Sequence, residues 1–293
     1  MTWPAAIGLA QTVFRELVVA GSVARQPEPY LITNEAVAAE AFARASRPNG
    51  ILSAVYTLNA AHSCSIIQPS DLVVDLGCGP AALLCQIARL NQAARFVGID
   101  LSKEMLEIGR DRIDSEGLSN VELHVDDIST LNSIASHSVD VVLSSMSMHH
   151  LANFESLESS FQSISRVLRP NGRVFIFDFG RLKHSRSIQY FVDRSIPDNE
   201  PILKRDYAMS LRAAFSVDDY KVLTSRHLSN NSRMFTTYPS PFLVVIKSKS
   251  DFALSKAVKN DLRGLIRDLP LKRRLDLMQL RAFLGMGGLK WML

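Results

Sequence analysis

The residues best able to do chemistry are a set of acids and a histidine pair spread through the middle third of the chain. Asp75 lies near the end of the apolar run LVVDL (72–76) and is followed by Gly77, Cys78 and Gly79. Glycines there let the backbone turn tightly and approach a ligand at the start of a helix. A phosphate would suit such a turn, but the carboxylate beside it repels a phosphate and attracts a cation. Asp100 and Leu101 close the next run, RFVGID (95–100), where a carboxylate can accept hydrogen bonds from both hydroxyls of a ribose. Asp126 and Asp127 follow VELHV (121–125) and can accept from an adenine amino group. VDVVLSS (139–145) carries Ser144 and leads into His149–His150, imidazoles able to take a proton from an acceptor. Asp178 closes RVFIFDF (173–179) and is a further candidate at the same edge.

These residues are useful only if the chain brings their strand ends together. From Leu72 onward, short β-rich runs alternate with amphipathic helices, which predicts a mainly parallel sheet covered on both faces. Leu157, Phe161, Ile164 and Leu168 form one helical stripe. Met105, Gly109 and Ile113 form another, with Ser102 as its N-cap. Two later runs, YKVLTSRHL (220–228) and PFLVVIK (241–247), are joined by a polar stretch with Asn230–Asn231 and complete a seven-stranded sheet. Open sheets of this kind bind ligands at the carboxyl ends of their strands.

The flanks differ from this core. Residues 1–70 read as a helical cap, with Trp3, Ile7, Ala10, Phe14 and Leu17 at helical spacing, then Ile51, Val55, Leu58 and His62. Gln26–Pro27–Glu28–Pro29 breaks that cap. Tyr56 and His62 are placed to cover the ligand. Residues 71–250 form the ligand-binding domain. Within it, 180–220 is a lid-like insertion whose Arg181, Lys183, His184, Arg186, Arg194, Lys204 and Arg205 could meet an anionic group. Residues 251–293 read as a basic tail of two amphipathic helices broken at Pro270, with Leu254, Val258, Leu262, Leu265 and Leu269 on one face.

Composition narrows the function. The chain has 293 residues, 47% of them apolar, enough for a full α/β core. Its net charge of +4 is concentrated in the tail, where nine Lys and Arg face four Asp, so the rest is close to neutral and no nucleic-acid partner is expected. No apolar run approaches the ~20 residues of a membrane span. The first basic residue is Arg15, so no signal peptide is expected and a cytoplasmic location follows. Cys64, Cys78 and Cys85 have no metal-ligand spacing and read as buried apolar residues; no metal is expected. The tail is expected to pack on the chain's own helices, with docking of a homodimer mate, another partner or an anionic surface as the alternatives.

Residues 72–180, with weaker matches to 247, resemble the class I S-adenosylmethionine-dependent methyltransferases, in particular their small-molecule branch. DLGCG resembles the first motif of that family, GID its ribose acid, HVDDI its adenine loop, VDVVLSSMSMHHL its fourth motif and RVLRPNGRVFIFD its fifth strand. SLRAAFSVDDY (210–220) resembles a segment before the sixth strand of some members. The resemblance implies a Rossmann-like seven-stranded sheet with the last strand antiparallel. It implies S-adenosylmethionine as cofactor, held at its methionine end by Asp75, Gly77, Cys78 and Gly79, at the ribose by Asp100 and Leu101, and at the adenine by Asp126 and Asp127, with Ser144 nearby. Ala81 stands where a third glycine is common; alanine can continue a helix, so binding is expected to survive.

A nicotinamide dehydrogenase, the nearest rival of this fold, would prefer G-x-G-x-x-G without an acid beside it. Two functions remain: methylation of O, N or C on a small or medium-sized acceptor, with His149, His150 or Asp178 in the chemistry, or a non-catalytic accessory protein of the same fold. The complete acidic set favours the enzyme. A metal-dependent catechol-type mechanism is disfavoured for want of a carboxylate/Asn cluster.

Overall fold

The computed structural model describes residues 3–29, 36–228, 231–249 and 252–293; Asn230 and Asp251 lie outside them. Seven strands form one sheet: β1 (Leu72–Leu76), β2 (Arg95–Asp100), β3 (Val121–Val125), β4 (Val139–Ser145), β5 (Leu168–Phe179), β6 (Ser232–Thr236) and β7 (Leu243–Ser248). Their order is β3-β2-β1-β4-β5-β7-β6. β1 to β5 run parallel, and β7 pairs antiparallel with both β5 and β6. The predicted Rossmann-like sheet, with its antiparallel last strand, is the observed one.

The central strands are apolar on both sides because helices cover both faces. Val73, Val141, Phe175 and Val245 point to one layer, and Val74, Val142, Ile176 and Val244 to the other. The first layer packs against α3 (Ser53–Cys64), α4 (Ala82–Leu90), α5 (Lys103–Ser115), α7 (Ser185–Ser195), α8 (Pro201–Ala213), α10 (Lys256–Asp268) and α11 (Leu271–Met286). The second packs against α6 (Phe154–Val167) and α9 (Val217–His227). Ser102 caps α5 through a 3.2 Å bond from the Met105 N–H, and the predicted stripe of Leu157, Phe161, Ile164 and Leu168 is buried.

Three expectations change. Residues 220–228 form helix α9, not a strand; the sixth strand is β6, further along. A capping box between Ser216 and Asp219 starts α9, and Tyr220, Leu223 and Thr224 bury at helical spacing. Helix α1 (Trp3–Val18) leaves Ile7, Ala10, Phe14 and Leu17 exposed, and buries Thr12 and Glu16 instead; the Trp3 side chain lies outside those described. Glu16 accepts the Lys183 N–H at 2.8 Å, which explains its inward face. Ala81 does not continue a helix: with φ +55° it is the left-handed residue just before α4. The tail packs on the chain's own helices: Leu262, Leu269, Leu277 and Leu284 are buried in the layer built on α3. That stripe is therefore not available to a second chain; the outer face of α11 presents Leu271, Leu275 and Met278 instead.

The far end of α3 is tied to the tail. His62 stacks on Phe175 at 5.9 Å and meets Trp291 edge-on at 5.7 Å, while the Arg281 guanidinium lies 4.2 Å over the Trp291 ring. Lys247 donates to Ser65 Oγ at 2.7 Å and to His62 Nδ1 at 3.3 Å. Burial pulls the Lys247 ammonium down to about 8; burial, then the Lys247 charge, pulls His62 down to about 3. His62 thus serves the core and does not reach the ligand cavity.

Candidate active site

The carboxyl ends of β1, β2 and β4 open onto a cavity of about 940 Å³. Asp75 lines it and is buried at 4% exposure. Burial, then the nearby Asp100 charge, raises the Asp75 carboxyl to about 7. Tyr56, on α3, lines the same wall, its phenol raised by burial and by Asp75. Gly77 adopts φ +69°, and a Cβ there would stand 2.3 Å from Ser147 Cβ, so only glycine fits beneath the loop after β4. Gly79 also has positive φ, but a Cβ there would meet only the Phe42 ring at 3.8 Å, so the backbone faces open cavity.

Asp100 is fixed from both sides. Its Oδ2 accepts the Gly79 N–H at 2.8 Å and its Oδ1 the Ser102 N–H at 2.9 Å. Burial raises its pKa against those two bonds. Each carboxylate oxygen has capacity for a further donor. Cys78 and Leu101 line the cavity too, and burial keeps the Cys78 thiol protonated.

The two acids after β3 separate. Asp127 lines the cavity and accepts the Ser129 N–H at 2.7 Å. Asp126 turns away: its carboxylate accepts from the N–H of Asp127 and from both the N–H and Oγ of Ser133, which secures the loop. Ser144 is also structural, since its buried hydroxyl donates to Ser147, which donates to the Leu76 carbonyl at 2.8 Å. Ser145 and Ser147, not Ser144, line the cavity.

The other end of the cavity is built around the histidine pair, in a short 3-10 turn after β4. His149 is buried, and its Nδ1 lies 2.7 Å from Asp178 Oδ1. Asp178, reaching across from adjacent β5, also accepts the backbone N–H of His149 at 3.1 Å and of Phe179 at 2.7 Å. His150 places Nδ1 2.7 Å from Glu28 Oε2, while Glu28 Oε1 accepts from Ser210 at 2.8 Å. Burial opposes the Glu28 charge, but the His150 bond and the imidazole charges prevail and hold its carboxyl down at about 2. Those same contacts raise His150 against its own burial.

Glu28 arrives on the Pro-Glu-Pro segment that the sequence marked only as a break. Arg25 anchors that segment, donating to the carbonyls of His149 (3.1 Å), Ala152 (2.5 Å), Ala213 (2.7 Å) and Leu151, with its guanidinium 3.9 Å over Phe215. The only sequence signal was an acid held between two prolines, which restrict the chain to extended geometry. Helices α7 and α8 border the cavity, contributing Tyr190, Phe191, Arg194, Arg205 and Tyr207. Phe191 stacks on Phe242 at 4.0 Å, and Phe179 meets Tyr207 at 5.6 Å, giving an aromatic wall. Three other cations of residues 180–220 serve structure: Arg181 donates to the Ala214 carbonyl, His184 caps α7, and Lys204 pairs with Asp193 and Asp198.

A glycine turn between buried acids, on a sheet of this order, defines the class I methyltransferase architecture. Comparison with known proteins agrees. A family described as a methyltransferase domain matches residues 67–239. An uncharacterized 37.1 kDa protein of transposon TN4556 from Streptomyces fradiae is 31% identical over 168 residues, covering 54% of this chain and 47% of its own length. The ubiquinone/menaquinone biosynthesis C-methyltransferase UbiE of Hydrogenovibrio crunogenus is 28% identical over 118 residues, covering 40% of this chain and 45% of its own. The chain thus spans less than half the length of these curated relatives. Among solved structures, the plantazolicin methyltransferase BpumL in complex with SAH superposes with a TM-score of 0.55 at 16% identity, covering 91% of this chain and 93% of that one, a likeness of fold. The chain belongs to the methyltransferase-domain family.

Proposed function

We propose that this protein transfers a methyl group from S-adenosylmethionine to O, N or C of a small or medium-sized acceptor with a large apolar surface. The observation that carries this reading is one continuous cavity, with Asp75, Gly79 and Asp100 at one end and Glu28, His149, His150 and the aromatic wall at the other.

The residues fit the cofactor. Asp75 is a buried carboxyl kept near neutrality, and an incoming ammonium group would ionise it. Asp100 is oriented by two backbone N–H groups and turns its spare lone pairs to the ribose hydroxyls, with Leu101 beside it. Gly77, Cys78 and Gly79 let the backbone approach the methionine end, and Asp127 takes the adenine edge. When bound, the cofactor supplies an electrophilic methyl on a sulfonium whose departure leaves a neutral thioether.

The chain's own part is alignment and proton handling. Holding the two reactants in line supplies part of the ~7–11 kcal/mol available from proximity. The Phe179, Tyr207, Phe191 and Phe242 rings exclude water from the acceptor end. His149, oriented by Asp178, and His150, oriented by Glu28, stand where an acceptor's acidic hydrogen must be removed. Arg194 and Arg205, the latter paired with Asp206 at 3.3 Å, line the cavity and would lie nearest a negative charge on the acceptor.

Calorimetry tests the reading directly. S-adenosylmethionine and its demethylated product are expected to bind in the micromolar range, about −8 kcal/mol. Binding of NAD, with no response to either compound, would overturn it. The acceptor itself is sought by comparing the metabolites of a deletion strain with its parent, looking for a species lighter by one methyl group.

A further inference from the structure

Three ligand-type side chains converge where the acceptor must sit. Glu28, His149 and His150 each offer an atom, and these atoms lie within 4.8 Å of one another. No sequence motif announces them, since Glu28 and His150 stand 122 positions apart.

The tautomer of His149 is set by its neighbours. Asp178 already accepts two backbone N–H groups, so it faces Nδ1 as an acceptor, and Nδ1 carries the hydrogen. Nε2 is left with its lone pair. It faces Glu28 Oε1 at 4.0 Å, too long for a hydrogen bond. That gap is close to the span of two ligands that each stand roughly 2.0–2.2 Å from one ion. His150 Nδ1 completes the group: its hydrogen bond to Glu28 Oε2, 2.7 Å long, would give way to the ion, with the Nδ1 proton released to solvent.

Around this trio is the support that metal ligands need. A carboxylate on the far nitrogen of a ligating histidine fixes its ring and strengthens its donor atom. Asp178 stands in that position on His149, Ser210 Oγ steadies Glu28, and Arg25 holds the strap through the His149 carbonyl. Two imidazoles and one carboxylate with an open side make a three-ligand catalytic zinc set. Here the open side is the cavity that the aromatic wall shares.

We propose that Glu28, His149 and His150 bind a divalent transition-metal ion, zinc by ligand chemistry, whose open position takes the heteroatom of the acceptor. The role, though not the binding, rests on the methyl-transfer reading. An acceptor hydroxyl at the open position would be acidified by the ion and give its proton to solvent at the cavity mouth, His149 and His150 then acting as ligands in place of bases. The acceptor oxygen then uses the freed pair to bond the methyl carbon, while the carbon–sulfur bond breaks with its pair going to sulfur. This departs from the sequence expectation of no metal, which rested on the spacing of the three cysteines and the want of a carboxylate/Asn cluster.

The test uses the full chain stripped with chelator, titrated with Zn²⁺ by calorimetry and with Co²⁺ by visible spectroscopy, with S-adenosylmethionine binding measured on the same samples. One ion per chain is expected, with cobalt absorption typical of low coordination number. Glu28→Ala and His149→Ala should each weaken metal binding by at least about a hundredfold, and Asp178→Asn by roughly 10–100-fold. His124→Ala, outside the cavity, should change nothing. No stoichiometric ion, or an affinity indifferent to Glu28→Ala and His149→Ala, overturns the proposal. Should His149→Ala fail to fold, Glu28→Ala on the peripheral strap decides. Failure of metal with intact cofactor binding removes only this site; the converse removes only the methyl-transfer reading.

Discussion

The two ends of the cavity handle carboxylates in opposite ways. At the cofactor end Asp75 and Asp100 face each other, and each has its ionisation opposed by burial. At the acceptor end each acid has an imidazole beside it, Glu28 with His150 and Asp178 with His149. Among the described residues the first two acids have no direct ion-pair partner, only the His150 charge acting on Asp100 from a distance, whereas the other two are paired within the chain. This difference separates a site specialised for a cationic ligand from one specialised to hold polar groups at fixed positions beside apolar walls.

Several changes would break or sharpen that contrast. The largest effect is expected from Asp178→Asn, which removes the acceptor that fixes the His149 tautomer. Methyl transfer to the identified acceptor should fall by roughly 10²–10⁴-fold, while cofactor affinity stays within twofold. Equal losses in both would show that the two ends are not independent. Gly77→Ala should act at the opposite end, combining a left-handed backbone with a Cβ 2.3 Å from Ser147. It should cost about 2–4 kcal/mol of stability, read as a drop in thermal midpoint, with cofactor binding lost. Asp100→Ala should keep the fold and weaken cofactor binding at least tenfold, from lost charge-assisted bonds worth about 1.5–3 kcal/mol each. Unchanged affinity would place the ribose elsewhere.

A pH series gives the smallest and most selective reading. Asp75 is raised from 3.8 to about 7, with Asp100 and Tyr56 as the titratable neighbours facing it. A raised acid favours folding while protonated, so its contribution in the ligand-free protein is lost as pH climbs between those values. A cationic ligand prefers the carboxylate, so its binding must expel a proton below about 7. Cofactor affinity should therefore improve by up to about tenfold per pH unit toward neutrality and then level off. A flat profile from pH 5 to 8 would show that Asp75 is already ionised in the free protein.

The same contrast separates what the sequence made readable from what it hid. The cofactor end consists of strand ends in chain order, each marked by an apolar run followed by an acid or glycine, so Asp75, Gly77, Gly79, Asp100 and Asp127 were all legible. Asp126 and Ser144 sit in the right motifs but point elsewhere, because period-two alternation and loop bonding decide which neighbour faces the ligand. The acceptor end draws on Pro27–Glu28–Pro29, the turn after β4, β5 and the lid, segments joined only by tertiary packing. Neither Glu28 nor Arg25 belongs to a periodic element, so no local pattern could mark them. The misplaced sixth strand had a visible remedy, since Ser216 and Asp219 already formed a helix-start signal. The inward Thr12 and Glu16 of α1 had none, since a polar face is buried there for the sake of one bond to the Lys183 backbone.

Helix α3 serves two masters. Tyr56 forms part of the cofactor's wall, and two turns later His62 is clamped between Phe175 and Trp291, under the tail. A helix moves as a unit, so the binding energy of the cofactor and the docking energy of the tail become linked quantities, and each must strengthen the other by the same amount. Saturating the cavity should slow hydrogen exchange in α10, which contributes no residue to the cavity wall. By the same bookkeeping, Trp291→Ala should shorten the residence time of a ligand it never meets.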